Sequence, residues 1–536
     1  MRTLTLLLCV LAAFALYRCN TATAATAVAP GAAPLNIIYI MSDDHTTQAV
    51  GAYGSRLAPL DPTPNLDALA REGTLFTSVF CTNSICTPSR GNIMTGQYSQ
   101  TNGIRILDDT LPPARQYLPL EMKKLGYQTA MIGKWHLKAE PAAYDYYQVL
   151  ESQGHYFDPE FRSSTAGTWP DNMVSYTGHS SDVITDITLD WLQNKRDKQQ
   201  PFFLMHHYKA PHDDFEFAPR YADYLEDTYI PEPANLYPRN EPGFGSEATR
   251  GSHDSLIHEI GTSVSSRHTY RNYVHQYGID IEPKDAATSA GYQQYLKNYL
   301  RCVKGVDDNL KRLFDYLKAE GLWDNTLIVY TGDQGMMLGE HDYIDKRWMY
   351  EESMRMPFIV RHPGGGAGAT SDLLINNTDF APTLIEWAGG TPPDYMQGKS
   401  FARYIDGSEP ADWRTATYYR YWMHLTHHDV PAHFGVRTKQ YKLIFYYSQP
   451  YRQEEIGRQS MSWIDESYKI RPTPVAWEFY DLSKDPYETF NRYGDPAYAK
   501  TIRELKAQLK QLRTDLNETD RDAPDLQRII DANWDA

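Results

Sequence analysis

Two clusters of oxygen-bearing side chains in this sequence could bind a cation together. The first is the adjacent pair Asp43 and Asp44, and the second is Asp333 followed by Gln334. Neighbouring carboxylates repel each other unless a cation neutralises them, so the first pair indicates a hard divalent cation if it is not simply a solvated turn. Because all four side chains offer oxygen, Ca²⁺ or Mg²⁺ is favoured over Zn²⁺.

The stretch from residue 86 to residue 96 reads CTPSRGNIMTG and begins with a cysteine. Thr87 is predicted to cap a helix, and Pro88 suits the first turn of that helix. The Cys86 side chain would then lie at a helix N-terminus, where the helix dipole and free N–H groups favour an anion. The alternative is a buried structural cysteine beside a helix cap.

Basic and imidazole side chains form further short motifs. Lys134 and His136 lie in GKWHL, His212 ends the motif KAPH, and Lys346 lies in DKRWMYEES. The chain carries a formal net charge of −16, so an anionic substrate would need a local site of positive charge. Lys134, Lys346 and Arg90 could supply that charge.

Short apolar runs bounded by turn residues predict buried parallel strands that alternate with helices. The runs cover residues 35–41, 129–132, 202–205, 327–330 and 357–360. The polar clusters described above follow the first four runs. Ligands bind beyond the carboxyl ends of the strands in open α/β sheets, so we expect the clusters to meet at one site.

The remaining patterns predict the fold class and its division into domains. Apolar residues spaced three or four apart between positions 292 and 317 predict a long helix. Strands that alternate with helices predict an α/β fold with a large, mostly parallel sheet sandwiched by helices. Residues 217–285 are rich in Pro, Gly, Tyr and charge, which predicts long surface loops around a pocket.

The pattern changes near residue 400. Residues 418–422 and 441–447 are predicted strands of a smaller antiparallel sheet, and an apolar stripe over residues 502–516 predicts a helix. A chain of 536 residues is too long for one ordinary core. We therefore expect a domain over 34–400 that carries the candidate site and a smaller C-terminal antiparallel α+β domain over 401–536.

The first 24 residues have the pattern of an export signal. Arg2 precedes an apolar stretch over residues 4–16, which is too short to span a bilayer, and the small residues 22–24 offer a cleavage site. We expect a protein that is periplasmic or secreted, with lipid anchoring at Cys19 as the alternative to simple cleavage. No other segment is apolar enough over sufficient length to cross a membrane.

Cysteine content and charge exclude two classes of protein. Five cysteines in a chain of this length do not make a disulfide scaffold, although Cys81 and Cys302 could be free or paired. The strongly negative net charge argues against nucleic acid as a partner, because binding nucleic acid requires clustered Lys and Arg.

Residues 86–96 resemble the signature of the formylglycine-dependent sulfatases, C-x-P-S-R followed by T-G. The resemblance extends from about residue 35 to about residue 491, and it implies an alkaline-phosphatase-like fold and hydrolysis of sulfate monoesters. It also implies that a maturation enzyme converts Cys86 to formylglycine. Ca²⁺, with Mg²⁺ as the less favoured ion, would be bound by Asp43, Asp44, Asp333, Gln334 and the modified Cys86. Family members often carry Asn where this chain has Gln334.

The resemblance implies roles for the basic motifs as well. GKWHL is similar to the second sulfatase signature, which implies that Lys134 and His136 flank the formylglycine, with His136 as the base. His212 matches the histidine that contacts the sulfate ester, and it or Lys346 would protonate the departing alcohol. Lys346 matches the second sulfate-binding lysine, and Arg347 is the rival for that position.

The substrate is less well determined by the sequence than the reaction is. Residues 418–437 and DKRWMYEES are similar to bacterial relatives of the N-acetylglucosamine-6-sulfatases, which implies a sulfated oligo- or polysaccharide substrate. His427, His428 or His433 could contact that sugar or be structural, whereas His206 and His207 lie within a predicted strand and are interpreted as structural. The sugar, the hydroxyl position and the oligomeric state are not determined.

Two other functions remain open at this point. One is a phosphonate or phosphate ester hydrolase of the same superfamily, which would share the metal ligands. The other is an inactive, glycan-binding surface protein. An inactive protein would be expected to lack at least one residue of the catalytic motifs, and none is missing.

Overall fold

The computed structural model describes residues 34–237, 243–250, 256, 260–268, 271–451 and 471–536. The predicted signal peptide, including Cys19, lies outside the described residues. Among the helices that are described, none combines the length and the apolar character that a bilayer crossing requires.

The strands are short and spread along the whole described chain. They are β1 Asn36–Ser42, β2 Thr74–Phe76, β3 Val79–Phe80, β4 Gln128–Gly133, β5 Tyr146–Leu150, β6 Glu160–Ser163, β7 Met173–Ser175, β8 Phe202–Tyr208, β9 Thr326–Gly332, β10 Met337–Leu338, β11 Ile344–Asp345, β12 Phe358–Arg361, β13 Ala369–Ser371, β14 Ile375–Asn376, β15 Ala416–Tyr421, β16 His433–Thr438, β17 Tyr441–Tyr446 and β18 Ala476–Asp481. The strands predicted from apolar runs are all present, with bounds that differ by a few residues.

The helices include one that is much longer than the others. They are α1 Pro64–Glu72, α2 Cys86–Thr95, α3 Ser99–Asn102, α4 Tyr117–Lys124, α5 Ser180–Asp190, α6 Tyr273–Gln276, α7 Lys284–Ala319, α8 Glu351–Met354, α9 Phe380–Trp387, α10 Ala499–Asp515 and α11 Pro524–Asn533. The predicted helix over residues 292–317 corresponds to α7, which starts earlier than the apolar spacing indicates.

The large sheet has ten strands in the order β13-β2-β12-β9-β1-β8-β4-β5-β6-β7. Its centre is parallel, because β9, β1, β8 and β4 lie side by side and run in the same direction. Two parts are antiparallel: β12 runs opposite to β9 and β2, and β6 runs opposite to β5 and β7. The predicted α/β class with a large parallel sheet is confirmed, with mixed edges.

Strand β1 shows why the sheet needs cover on both faces. Ile37, Tyr39 and Met41 belong to one hydrophobic cluster, while Ile38 and Ile40 belong to a second cluster on the opposite face. Alternate side chains of a strand point to opposite faces, and each fully buried large apolar side chain contributes about 1.5–3 kcal/mol. Helix α7 covers the second face, and α2, α4 and α9 lie on the first.

A smaller antiparallel sheet forms near the C-terminus, in the order β15-β16-β17-β18. Helix α10 packs on it, and a third hydrophobic cluster includes Phe434, Phe445 and Leu509. The predicted smaller antiparallel domain near the C-terminus is therefore confirmed. Its boundary at residue 400 stays a prediction.

The region over residues 217–285 has little regular structure where it is described, as predicted. It is not confined to the surface, however. Ile230, Leu236 and Val264 are fully buried and join the same cluster as α7. The expectation of surface loops was therefore wrong for these residues, because apolar side chains at intervals in the loops fill the second face of the core.

Candidate active site

The four central strands bring the predicted polar clusters to one edge of the sheet. Asp43 follows β1, Lys134 follows β4, and Asp333 follows β9, while His212 lies a few residues beyond β8. The Lys134 ammonium group contacts Asp43 directly, and the backbone N–H of Asp44 donates to Asp333 Oδ1 at 3.1 Å. Parallel strands that are adjacent in the sheet end at the same edge, so side chains far apart in sequence meet here.

Three carboxylates form the centre of the site. Asp43, Asp44 and Asp333 are fully buried, and each offers an oxygen atom within 4.8 Å of the others. Burial raises the pKa of Asp44 to about 7, with a further contribution from the charge of Asp333, although Lys346 acts in the opposite direction. Buried carboxylates so close together must be neutralised by nearby positive charge.

Gln334 provides the test of whether a metal ion fits these residues. Its Nε2 donates to Asp44 Oδ1 at 2.5 Å and lies 3.5 Å from Cys86 Sγ. Its Oε1 is buried and has no hydrogen-bond partner among the described residues. A half-turn of the amide would direct this oxygen to the position of its nitrogen. With the three carboxylates, the donor set is then oxygen-rich and fits a hard divalent cation.

Cys86 lies against this carboxylate cluster. Its Sγ donates to Asp43 Oδ1 at 3.3 Å, and the residue is buried. Burial raises the pKa of the Cys86 thiol to about 12, and the charges of Asp333 and Asp44 act in the same direction. An unmodified thiol at this position stays protonated and is therefore a weak nucleophile.

Cys86 is the first residue of α2, with Ile85 at the N-cap position. Pro88 lies in the first turn, as predicted. The prediction that Thr87 caps the helix is wrong. Its hydroxyl instead donates to the backbone carbonyl of His136 at 3.0 Å, which connects the start of the helix to the loop after β4.

Arg90 binds the carboxylates from one turn further along α2. Its Nε and Nη2 are each 2.9 Å from Asp333 Oδ2, and its Nη2 is 3.6 Å from Asp43 Oδ1. Its Nη1 donates to the Lys134 carbonyl at 2.5 Å. Although burial raises the pKa of Asp333, the charges of Arg90 and Lys134 outweigh it and lower the pKa overall. Arg90 thus favours the ionised form of Asp333 and holds Asp333 and Asp43 in place.

Lys346 and Arg347, the two candidates for the second sulfate-binding position, have different partners in the structure. Lys346 Nζ lies 2.6 Å from Asp44 Oδ2, within the carboxylate cluster. Arg347 forms an ion pair with Asp345 instead. Burial opposes the charged form of Lys346, but the nearby Asp44 carboxylate raises its pKa above the usual value. The structure therefore brings Lys346, rather than Arg347, to the candidate metal ligands.

His136 is buried beside the cationic side of the site. Burial, together with the charges of Lys134 and Arg90, lowers its pKa well below the usual value. Its Nδ1 is buried and has no hydrogen-bond partner in the described part of the chain. A neutral imidazole with an unused ring nitrogen can accept a proton.

His212 approaches the carboxylates from the loop after β8. Its Nε2 is 3.7 Å from Asp44 Oδ2, and its Nδ1 lies 2.6 Å from the carbonyl oxygen of Asp213. Burial, then the charges of Lys134 and Lys346, lower its pKa to about 3. The Asp213 carbonyl fixes the ring with Nδ1–H as the donor, so Nε2 faces the site.

The three C-terminal histidines that the sequence analysis named as possible sugar contacts, His427, His428 and His433, differ in position. His433 is buried, its Nδ1 is 2.7 Å from the Pro431 carbonyl oxygen, and its ring stacks on Tyr419. These contacts indicate a structural role. His428 Nε2 lies 3.4 Å from Asp345, the residue before Lys346.

His427 lies beside the ring of His428. The two rings stack with their centroids 5.1 Å apart. Arg271 Nη1 donates to the carbonyl of His427 at 2.8 Å and lies 2.7 Å from His428 Nε2. Of the three C-terminal histidines, His427 and His428 therefore neighbour the site.

Histidines 206 and 207 lie within β8 as predicted. His206 Nδ1 is 2.7 Å from the Thr188 hydroxyl, and His207 Nδ1 is 3.1 Å from the Lys134 carbonyl. Both are buried, and the contact of His207 supports the backbone that carries Lys134.

Three polar residues of the site were missed by the sequence analysis. Gln153 accepts a hydrogen bond from Lys134 Nζ at 2.6 Å, Asp213 lies against His212, and Asp345 pairs with Arg347. Asp213 and Asp345 directly adjoin predicted site residues, so their acidic character next to a base was a usable signal. Gln153 lies in a turn after β5 and gave no such signal.

The sequence did not decide whether Cys81 and Cys302 form a disulfide bond. Cys81 and Cys302 are both buried and both free. They belong to different hydrophobic clusters on opposite faces of the large sheet, so no disulfide could join them.

Comparison with known proteins decides the family. Residues 35–390, more than half of the chain, match the sequence profile described as sulfatase, and residues 339–462 match the profile of the N-sulphoglucosamine sulphohydrolase C-terminal region. The chain belongs to the sulfatase family. This sulfatase is a sulfuric ester hydrolase, as the sequence motifs predicted.

The relatives of this sulfatase include enzymes that act on glycans. It is 38% identical over 527 residues to an N-acetylglucosamine-6-O-sulfatase of Bacteroides thetaiotaomicron, covering 91% of this chain and 88% of the relative. A solved protein in complex with its substrate D-glucosamine-2-N,6-O-disulfate superposes with a TM-score of 0.77 at 36% identity, covering 91% of this chain and 99% of that chain.

A phosphonate monoester hydrolase of Agrobacterium radiobacter shares the fold of this sulfatase. It superposes with a TM-score of 0.66 at 20% identity, covering 90% of this chain and 96% of that chain. Identity at this level shows a common architecture and carries no information about the ester that is hydrolysed.

Proposed function

We propose that this sulfatase removes sulfate from a sulfated glycan and that its preferred unit is a 6-O-sulfated glucosamine. The observation that carries the proposal is the meeting of Cys86, Lys346 and His212 at the buried carboxylates, in a chain 38% identical to an N-acetylglucosamine-6-O-sulfatase. Sulfate esters are anionic, and this cluster of basic side chains is the positive site that such a substrate needs on an acidic protein.

We further propose that a maturation enzyme converts Cys86 to formylglycine and that Ca²⁺, rather than Mg²⁺, is the bound ion. Asp43, Asp44, Asp333 and Gln334 would hold the cation, together with side chain 86. When these groups are present, the hydrated formylglycine supplies a hydroxyl nucleophile and the cation supplies positive charge beside the sulfate oxygens.

The chain's own side chains would provide binding and proton transfer. Lys134 and Lys346 stabilise the sulfuryl oxygens as negative charge shifts during transfer. Lys346, or His212 once its Nε2 carries a proton, gives a proton to the departing sugar oxygen, and His136 accepts a proton from side chain 86 as sulfate leaves. Arg90 positions Asp43 and Asp333.

The proposed location follows from the sequence pattern of the first residues. We propose that residues 1–24 direct export and are removed, so that the enzyme acts in the periplasm or outside the cell. Acylation of Cys19 is the alternative. N-terminal sequencing and lipid labelling of the mature protein distinguish the two.

A substrate panel tests the proposed function. Purified enzyme would be assayed with N-acetylglucosamine-6-sulfate, with the corresponding 3-sulfate, and with an aryl sulfate and an aryl phosphate. We expect the 6-sulfate to give the highest kcat/KM. A higher kcat/KM for the aryl phosphate than for every sulfate ester would contradict the proposal, and a preference for the 3-sulfate would reject the assigned position.

A further inference from the structure

A groove of about 670 Å³ lies between the loop after β1, helix α8, the β16–β17 turn and the loop after β18. None of the proposed metal ligands or sulfate-binding residues lines it. We call it the Tyr487 groove and define it by Arg355, Arg437, Lys439, Glu352 and Tyr487. Its volume lies within the range of pockets that bind small ligands, and charged, amide and hydroxyl side chains line it beside apolar surface.

Arg355 gives the groove a cation that forms no ion pair within the described part of the chain. Its Nε donates to the Thr77 carbonyl at 2.8 Å, and no carboxylate in the described part of the chain lies within ion-pair distance of it. Lys439 differs, because it pairs with Asp372 at 3.1 Å and Glu409 at 2.9 Å. On a protein of net charge −16, an unpaired arginine in a groove favours an anionic ligand.

Two residues that line the groove, Arg437 and Glu352, each have a buried polar atom without a partner among the described residues. Arg437 binds both oxygens of Glu351 at 3.0 Å, but its Nη1 has no acceptor. Glu352 Oε2 is also buried and has no hydrogen-bond partner among the described residues. Burial, then the charges of Glu340 and Glu488, raise the pKa of Glu352 well above its usual value. A neutral carboxyl both donates and accepts, as a sugar hydroxyl does.

Tyr487 supplies an aromatic surface at the edge of the groove. It is 44% exposed, which makes it one of the few large aromatic side chains of the described chain that face solvent. Gln440 and Ser483 line the groove nearby and add an amide and a hydroxyl. An exposed ring beside amide, hydroxyl and guanidinium groups presents the apolar and polar surfaces that the two sides of a sugar ring require.

We propose that the Tyr487 groove is a second saccharide site, which binds an anionic sugar unit of a sulfated glycan outside the catalytic centre. The inference rests on the proposed function, because that function supplies the polymeric ligand. Two sites on one chain raise the effective concentration of the polymer at the enzyme, whereas a single sugar unit gains nothing from the second site.

The test compares a long ligand with a short one. Arg355→Gln and Tyr487→Ala would be made both in the active enzyme and in a Cys86→Ala background, with Arg528→Gln as the control because Arg528 is exposed on α11. Binding of a long heparin oligosaccharide to the Cys86→Ala proteins should weaken about ten-fold for each groove variant, consistent with loss of one charge-assisted or aromatic contact. The control should bind normally.

Kinetics with D-glucosamine-2-N,6-O-disulfate as substrate complete the test. Its kcat/KM should be unchanged in both groove variants, while KM for the long oligosaccharide rises. Unaltered oligosaccharide binding in both variants would overturn the second site, and so would a fall in kcat/KM for the monosaccharide in Tyr487→Ala, whose ring is at the surface. If wild-type enzyme hydrolyses no sulfate ester, the proposed function fails, and the binding comparison in the Cys86→Ala background still decides the groove.

Discussion

At the scale of single residues, the site sets three buried carboxylates against three buried cationic side chains. The members are Asp43, Asp44, Asp333, Arg90, Lys134 and Lys346. Because these formal charges balance, a divalent cation would leave the site with net positive charge. Such a site attracts an anionic ester, although the surface of the protein as a whole repels it.

Replacement of Cys86 tests the nucleophile. We expect Cys86→Ala to lower kcat by about 10³-fold or more, as removal of a nucleophile does in other hydrolases. Mass spectrometry of the wild-type peptide that contains residue 86 should show the aldehyde in place of the thiol. Multiple turnover by Cys86→Ala at the wild-type rate would reject the proposed chemistry.

Lys346 and Arg347 are adjacent in sequence and provide a matched pair. We expect Lys346→Gln to lower kcat/KM by about 10²–10³-fold, because Lys346 is the side chain that we propose to stabilise the sulfuryl oxygens. Arg347→Gln should chiefly lower the melting temperature, since it removes the cation nearest to the buried carboxylate of Asp345. Steady-state kinetics and thermal unfolding of both variants check the assignment, and a larger kinetic loss for Arg347→Gln would reverse it.

Removal of divalent cations tests the proposed ligands. Chelation should abolish activity and lower the melting temperature, because an ion that binds only the folded state stabilises it by mass action. Readdition of Ca²⁺ should restore both. In Asp43→Asn the melting temperature should no longer respond to Ca²⁺, whereas a response equal to that of wild type would exclude Asp43 as a ligand.

At the scale of elements, a side chain of one helix can accept hydrogen bonds from the free backbone N–H groups at the start of another helix. Asp307, inside α7, accepts hydrogen bonds from the backbone N–H groups of Asn65 at 3.2 Å and Leu66 at 2.9 Å, in the first turn of α1. The N-cap residue of α1 makes no side-chain cap of its own. One helix is thus capped by a side chain of another.

Asp307→Ala should lower the free energy of unfolding by about 1–3 kcal/mol, because buried donors in α1 lose their acceptor. Asp315→Ala is the control on the same helix, since Asp315 is exposed and pairs with the exposed Lys311. Its effect should stay within about 0.5 kcal/mol. Denaturant unfolding of the two variants measures both values, and equal effects would show that the cap contributes nothing.

The strands themselves were predictable from sequence, whereas parts of their arrangement were not. Buried runs such as residues 35–41 contain enough apolar residues to identify a strand by themselves. The antiparallel direction of β12 and the loop residues Ile230 and Leu236 in the core depend on contacts with distant segments. A local pattern carries no information about those partners.

At the scale of the whole molecule, the small C-terminal sheet is tied to the end of the chain through Arg420. This fully buried residue on β15 lies 2.8 Å from Asp520 and also contacts Glu518, both beyond α10. Asp520 also forms an ion pair with Arg513 of α10. The network joins the sheet and the C-terminal segment into one packed unit.

Arg420→Ala should destabilise the protein by about 3–5 kcal/mol, because it removes the buried cation that Glu518 and Asp520 share and leaves Asp520 with Arg513. The C-terminal segment should then be cleaved earlier in limited proteolysis. Arg528→Ala, at an exposed ion pair of α11, should change stability by less than about 0.5 kcal/mol. Equal protease resistance of the two variants would argue against the network as the link.

The sequence by itself determined the chemistry and the strand ends that carry it. Cys86 in its signature, the Asp43-Asp44 pair and the strand before each cluster are local features, and local features can be read from residue type and spacing. That reading also predicted that the clusters would meet, because parallel strands share an edge.

Only the tertiary structure decided which side chains face one another. It distinguished Lys346 from Arg347, directed the Thr87 hydroxyl to the His136 carbonyl rather than to a helix cap, and opened the Tyr487 groove between four distant segments. These outcomes depend on packing between segments far apart in the chain. The orientation of a side chain is set by such neighbours and not by its own residue type.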